Sequence, residues 1–240
     1  MPVYQLINEV IFPPPCHAEP DGLLAVGGDL SPERLLLAYA SGVFPWYSDN
    51  DPILWWSPDP RFILYPNELK VSRSLEKTIR KGKFEVTIDR DFDNVITNCA
   101  QVRVKKGEGT WITDDMRSAY CHLHEMGYAH SVESWHNGIL VGGLYGVSLG
   151  RCFFGESMFS LMTDASKVAF VSLGKELAKR DFELIDCQMP SDHLISFGAR
   201  GIGRDLFIKG LEKGGVNPAA LHNKGDFPVC INDKKNNEDV

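Results

Sequence analysis

An α+β fold with a mixed, mostly antiparallel sheet is what the 240-residue sequence predicts, on three observations. Tyr128 to Phe159 falls into three apolar segments of two-residue period, parted by Asn137-Gly138 and by Ser148 to Gly150, the pattern of an antiparallel meander. A helical pattern from about Asp164 to Lys179 follows, and then an apolar run, Phe182 to Gln188, that returns as a parallel strand. Ahead of these lies a proline-broken stretch ending near Arg61. It sets off a small N-terminal domain (1–61) from a larger one (62–231), with a polar tail at 232–240 expected to be disordered.

Composition excludes several classes. With 43% apolar and 24% charged residues, the chain can bury a full core in water. No basic segment followed by a long apolar run opens it, and no run approaches bilayer length, so a cytoplasmic protein without a membrane partner is expected. The six cysteines stand singly with no C-x-x-C pair, which favours reduced thiols over disulfides or a metal site. A net charge of −7 argues against a surface that embraces nucleic acid as a whole, yet allows a local basic patch.

In chain order, Leu6 to Pro20 reads as an extended lead-in and Gly22 to Gly28 as a glycine-spaced turn region. Gly27-Gly28-Asp29 is no phosphate loop, because no Lys-Ser/Thr follows it. Ser31 as N-cap, Pro32 at the first helical position and Gly42 past the end bracket a short helix with Leu35, Leu36 and Tyr39 inward. Phe44 to Arg61 reads as a non-helical loop carrying Trp46, Trp55 and Trp56, either an aromatic plug between the domains or one wall of a cleft. Phe62 to Tyr65 is a strand. Lys70 to Lys83 carries a net charge of +5. On a helix starting near Ser72, Arg73, Lys77 and Arg80 share one face and Leu75 and Ile79 another. That run is either a solvated face or a phosphate-contacting patch.

Phe84 to Ile88 alternates as a strand. Asp91 caps a helix with Phe92, Val95, Ile96 and Cys99 inward, and Gln101 to Thr110 is a charged loop that delivers Trp111. Thr113 caps the next helix, which Gly127 stops. His122 and His124 on it diverge and lack a third ligand, so no zinc site is expected. Gly198 to Leu221 reads as a closing helix with loops.

Two places break the apolar pattern. The strand period sets Phe182, Leu184, Asp186 and Gln188 on one face, which turns polar at its end. Glu156 closes a similar run, Cys152-Phe153-Phe154-Gly155. Two carboxylates and an amide beside apolar surface are the raw material of a ligand or reaction site, although a buried Asp beside a Gln is often structural. The sequence lacks a G-x-S-x-G elbow, an H-E-x-x-H helix and a P-loop, and no cysteine has an evident His partner. The remaining groups suit positioning and proton handling with an already activated electrophile, as in acyl transfer to an amine.

Eight blocks in order carry a family resemblance: Gly27 to Pro32, Gly42 to Trp46, Trp55 to Arg61, Gly109 to Thr113, Gly142 to Gly146, Gly155 to Ser160, Ala165 to Lys167 and Leu184 to Gln188. Together, from about residue 20 to residue 200, they closely resemble the leucyl/phenylalanyl-tRNA-protein transferases. The resemblance implies an acetyltransferase (GNAT)-like larger domain and no metal or cofactor. It implies transfer of Leu, Phe or Met from aminoacyl-tRNA to acceptor proteins with N-terminal Arg or Lys, marking them for N-end rule degradation, by a chain expected to act as a monomer. Carried onto matching positions, it makes Asp186 and Gln188 assist attack by the acceptor amine and gives Glu156 the cationic acceptor terminus. The aminoacyl side chain would lie among Trp111, Leu144, Phe153, Met158, Phe170, Leu173 and Ile185. The tRNA would meet Trp46 at its 3′ adenosine and Arg73, Lys77, Arg80 and Lys83 along its stem. Leu144 and Leu173 stand where the family pattern has Met and an aromatic residue, which bears on the donor ranking.

Two rivals make different demands. An acyl-CoA N-acyltransferase would need a glycine-rich turn before the crossover helix, where this chain has Ser160 to Asp164 with no glycine. A non-catalytic tRNA- or degron-binding protein would keep the patch and pocket but not depend on Asp186.

Overall fold

The computed structural model describes residues 3–105, 110–221 and 223–231; the expected tail at 232–240 and Gly109 lie outside them. The first elements are strand β1 (Tyr4–Leu6), a 3-10 turn at Pro15–His17, β2 (Leu23–Gly27), helix α1 (Pro32–Ala40), β3 (Phe44–Pro45) and β4 (Leu54–Trp56). They form a sheet of order β1-β2-β4-β3 in which only β1 and β2 run parallel. This corrects two expectations. Gly22 and Gly27, both at positive φ, bound a strand where a turn was expected, and the aromatic stretch contains two strands too short to show a period. Trp55 is wholly buried, with its indole N–H donating to the Gly27 carbonyl at 2.9 Å, whereas Trp46 is 43% exposed and packs edge-on to Trp56. Trp55 is thus a core residue, and Trp46 is the exposed one.

The second sheet begins at β5 (Arg61–Leu64). After it come α2 (Arg73–Arg80), β6 (Glu85–Ile88), α3 (Phe92–Lys105), α4 (Asp114–Glu125), β7 (Ala129–His136), β8 (Ile139–Leu149) and β9 (Cys152–Ser160). Then follow α5 (Ala165–Lys179), β10 (Leu184–Gln188), α6 (Asp192–Ser196), β11 (Arg200–Ile202) and α7 (Arg204–Lys213). The sheet order is β11-β5-β10-β9-β8-β7-β6, antiparallel throughout except for the β9–β10 pair. Ser72 and Thr113 cap α2 and α4 through their side chains, accepting from the Leu75 and Met116 amides. α3 runs on through Gln101 to Lys105, all residues a helix tolerates, where a loop was expected. The short elements α6 and β11 were not anticipated, because three to five residues carry no legible period.

Alternation on the central strands divides two cores. Tyr145, Phe154 and Leu184 join the side covered by α1, α3, α4 and α7, while Leu144, Phe153 and Ile185 join the side covered by α2 and α5. Phe182 precedes β10 and packs with the second set, so it does not share the face of Leu184 as predicted. Among the described residues no helix is long and apolar enough to cross a membrane. Of the six cysteines, Cys16 and Cys230 are exposed and not in a core.

β8 is glycine-rich for a packing reason. A methyl group on Gly146 would sit 2.2 Å from the Phe154 carbonyl oxygen and 2.6 Å from the Phe153 ring, and one on Gly142 would sit 2.6 Å from the Ala165 methyl. Gly146→Ala should therefore destabilise the fold by about 1–3 kcal/mol, as forced overpacking does, read as a lower urea midpoint at unchanged slope.

Candidate active site

The registered pairing of parallel β9 and β10 ends at Phe154 opposite Asp186. Beyond that point Gly155 to Met158 on one strand and Cys187 to Pro190 on the other line a cavity of about 430 Å³. Phe44, Pro45 and Trp46 of the first sheet's segment, Trp111, Phe170 of α5, and His193 and Leu194 of α6 also line it.

A bulge in each strand aims the polar side chains. In the β8–β9 ladder Tyr145 faces Ser157 and Gly146 faces Gly155, which leaves Glu156 as the extra residue. In the β5–β10 ladder Ile63 faces Asp186 and Phe62 faces Gln188, which leaves out Cys187, and Gln188 takes a left-handed φ of 59°. Strict alternation therefore does not govern this strand end, and the bulge carries Gln188 toward Glu156. The Gln188 side-chain amide donates to Glu156 Oε1 at 2.7 Å, and the Gln188 backbone amide donates to Asp186 Oδ1 at 2.9 Å.

Of the residues expected in the site, Glu156, Asp186, Gln188, Trp46, Trp111, Leu144, Phe153, Met158, Phe170 and Ile185 all line this cavity. Leu173 does not. It is wholly buried in the core around α5, about 4.5 Å further along the helix axis than Phe170. Arg73, Lys77, Arg80 and Lys83 lie apart from the cavity on and just after α2, all exposed, with no carboxylate of a described residue in ion-pair range.

Residues that sequence reasoning missed hold the polar groups in place. Arg61 forks onto Asp186, Nε to Oδ1 at 2.8 Å and Nη2 to Oδ2 at 2.7 Å, with both side chains buried. Tyr120 donates to Glu156 Oε2 at 3.0 Å, and its hydroxyl is in turn hydrogen-bonded to that of Tyr39. In the sequence Tyr39 stands out only as an inward helix position. Arg61 does carry a signal in the sequence: a lone cation leading an apolar strand calls for an anion inside another.

Burial is the largest influence on Glu156 and lifts its carboxyl to about 7. The hydrogen bonds from Tyr120 and Gln188 oppose that rise, and the Asp186 charge adds to it. Burial, followed by the Asp186 charge, pushes the Cys187 thiol well up, so this cavity-lining cysteine is a poor nucleophile. Burial and then Lys167 lower His193, and its Nε2 has no hydrogen-bond partner among the described residues. An apolar chamber with a neutralisable carboxylate and a clamped amide at its polar end can hold a greasy side chain and orient an amine beside it. Among the described residues no three His, Cys, Asp or Glu side chains gather as a metal site.

The chain is similar to known proteins over most of its length. Residues 63–212 match the family described as leucyl/phenylalanyl-tRNA protein transferase, and residues 28–59 match its N-terminal domain. The leucyl/phenylalanyl-tRNA–protein transferase of Syntrophotalea carbinolica is 59% identical over 228 residues, covering 95% of this chain and 99% of the relative. The one from Syntrophobacter fumaroxidans is 61% identical over 208 residues, covering 87% and 89%. A solved DUF2156 C-terminal domain from Agrobacterium fabrum is 12% identical, with a TM-score of 0.37, covering 84% of this chain and 60% of that one, a likeness too slight to argue from. On the family matches and the identity of its relatives, this chain belongs to the leucyl/phenylalanyl-tRNA protein transferases, a family of aminoacyltransferases.

Proposed function

We propose that this chain moves Leu, Phe or Met from aminoacyl-tRNA onto the N-terminal Arg or Lys of acceptor proteins and so marks them for N-end rule degradation. The observation that carries the reading is the cavity walled by Leu144, Phe153, Met158, Phe170 and Ile185, with Glu156 and Gln188 joined at 2.7 Å at its polar end. An apolar wall discriminates by only about 1–3 kcal/mol per methylene, which suits a site serving three unbranched or γ-branched side chains. Stiff, wide β-branched donors fit it worse.

In this reading the acceptor's α-amine attacks the ester carbonyl. A C–N bond forms, the bond to the ribose 3′ oxygen breaks, the amine gives up a proton, and the departing oxygen takes one. Such an amine has a reference pKa of roughly 7.7–8.0 and is partly neutral at working pH, so orientation is the main need. Gln188, its amide N–H held by Glu156, presents its carbonyl oxygen to the amine, and Asp186 fixes the Gln188 backbone. Glu156 in its charged form pairs with the cationic acceptor terminus. No covalent enzyme intermediate and no cofactor enter the scheme.

The remaining assignments follow the same logic. Trp46, exposed at the cavity's edge, offers the 3′ adenosine a stacking face, a contact worth about 1–3 kcal/mol per base. The exposed cations of α2 suit the phosphates of an A-form stem. The meander β7–β9, the crossover α5 and the parallel β9–β10 pair support reading 62–231 as a GNAT-like catalytic domain behind a small N-terminal domain (1–61). Against an acyl-CoA substrate, Asp164 stands as a negative charge at the start of α5, beside Lys167 at 3.5 Å.

Purified protein supplied with labelled Phe-tRNA or Leu-tRNA should label a peptide starting with Arg and leave its N-acetylated form unlabelled; a folded preparation that transfers nothing refutes the reading. Arg80→Glu should weaken aminoacyl-tRNA binding and reduce the slope of log affinity against log salt, measured by filter binding between 50 and 200 mM salt, on the order of the range over which such slopes are read. Because the Glu156 carboxyl sits near 7 in the folded protein, it becomes neutral on the acid side. The KM for an Arg-peptide should thus rise as pH falls below 7, by up to about tenfold per unit. Glu156→Gln should flatten that limb, and the α-amine, shared by both enzymes, cancels in the comparison.

A further inference from the structure

Resting on that reading, we propose that Arg61 is a positioning residue of the transfer site: through the fork on Asp186 it sets the placement of Gln188 and Glu156. Arg61 opens β5 and is 1% exposed. Its guanidinium lies between the rings of Phe44 and Phe207, 4.6 Å from each centroid. All three of its nitrogens have partners, since Nη1 donates to the Gly42 carbonyl at 3.2 Å while Nε and Nη2 take Asp186.

The contacts form an unbroken line into the cavity. Asp186 Oδ1 receives both Arg61 Nε and the backbone amide of Gln188, so the same oxygen that binds the guanidinium pins the turn in which Gln188 is left-handed. That turn sets the Gln188 side-chain amide on Glu156. Asp186, with both oxygens committed, serves as the relay of position between Arg61 and Gln188 and not as the carrier of the amine's proton.

A brace for stability alone would not need this form. Two apolar side chains would fill the space between Phe44 and Phe207 without the desolvation of two charges. The planar fork fixes distance and angle together, which a point charge cannot do. A further sign lies in position: the pair sits where β9 and β10 cease to pair and the cavity begins, and Asp186 itself lines that cavity.

Arg61→Lys keeps a cation in the same place and removes the fork. With folding checked by circular dichroism and thermal melting, its kcat for peptide transfer should fall by about 10- to 100-fold. The KM for aminoacyl-tRNA should stay within about threefold, because the α2 patch and the apolar wall are untouched. In 15N-labelled protein the Gln188 side-chain amide signal should shift or broaden. A folded Arg61→Lys enzyme with wild-type kcat overturns the proposal. Should that variant fail to fold, Phe207→Leu, which loosens the ring clamp from outside the cavity, decides the matter: a fall in kcat at constant KM supports it and an unchanged kcat overturns it. Wild-type enzyme transferring in the same assay separates this outcome from failure of the parent reading, since a wild type without transfer overturns both.

Discussion

A carboxylate inside an apolar sheet needs a cation or hydrogen-bond donors beside it, and for Asp186 the Arg61 guanidinium supplies both, with both side chains buried. Removing either partner would strand a buried charge, a loss of roughly 3–5 kcal/mol. The constraint reaches further than the two residues. Arg61 packs over Phe44 of the first sheet's segment and over Phe207 of α7, so both elements are held against the open end of β10. The turn after α1 is tied in as well, since the Gly42 carbonyl accepts from Arg61 Nη1 and from the Ser57 hydroxyl. The apolar cavity therefore has a rigid polar end although its other wall is made of side chains that can adapt.

Charge is distributed to separate two kinds of recognition. The chain is acidic overall, at −7, but α2 and its flanks carry a compact positive run. A polyanion is drawn to that run and repelled elsewhere, so attraction over distance also orients the encounter. The cavity works the other way, through surface removed from water, and responds little to salt. Glu156 stands between these regimes. Near 7 its charge is conditional, and a cationic partner arriving beside it favours the ionised form.

Much of this architecture was legible in the sequence because its signals repeat. Alternation over Tyr128 to Phe159 gave the meander, and the helical spacing after Asp164 gave the crossover, each close to the observed bounds. The convergence of Glu156, Asp186 and Gln188 was visible as polar interruptions in apolar runs. The strands of the first sheet, two to five residues long, left no period to find. The two bulges were hidden because a one-residue insertion in a ladder is a relation between strands and not a property of either. Resemblance puts Leu173 with the cavity, while its place further along α5 puts it in the core. Arg61 was read as the edge of a domain, and its partner lies 125 residues away, beyond the reach of local pattern.

The segment around Phe227 gives the cavity a support that its neighbours in sequence do not. Phe227 stacks on His130 at 4.0 Å and on Phe153 at 5.5 Å, and Phe153 is part of the cavity wall. Yet Phe227 falls outside the span 63–212 that the family match covers. A fragment trimmed to that span would retain Phe153 and lose the ring behind it, so the aromatic wall would have room to swing. The span of the family match is thus narrower than the set of residues that holds the cavity wall, although similarity to a single relative runs over 95% of the chain.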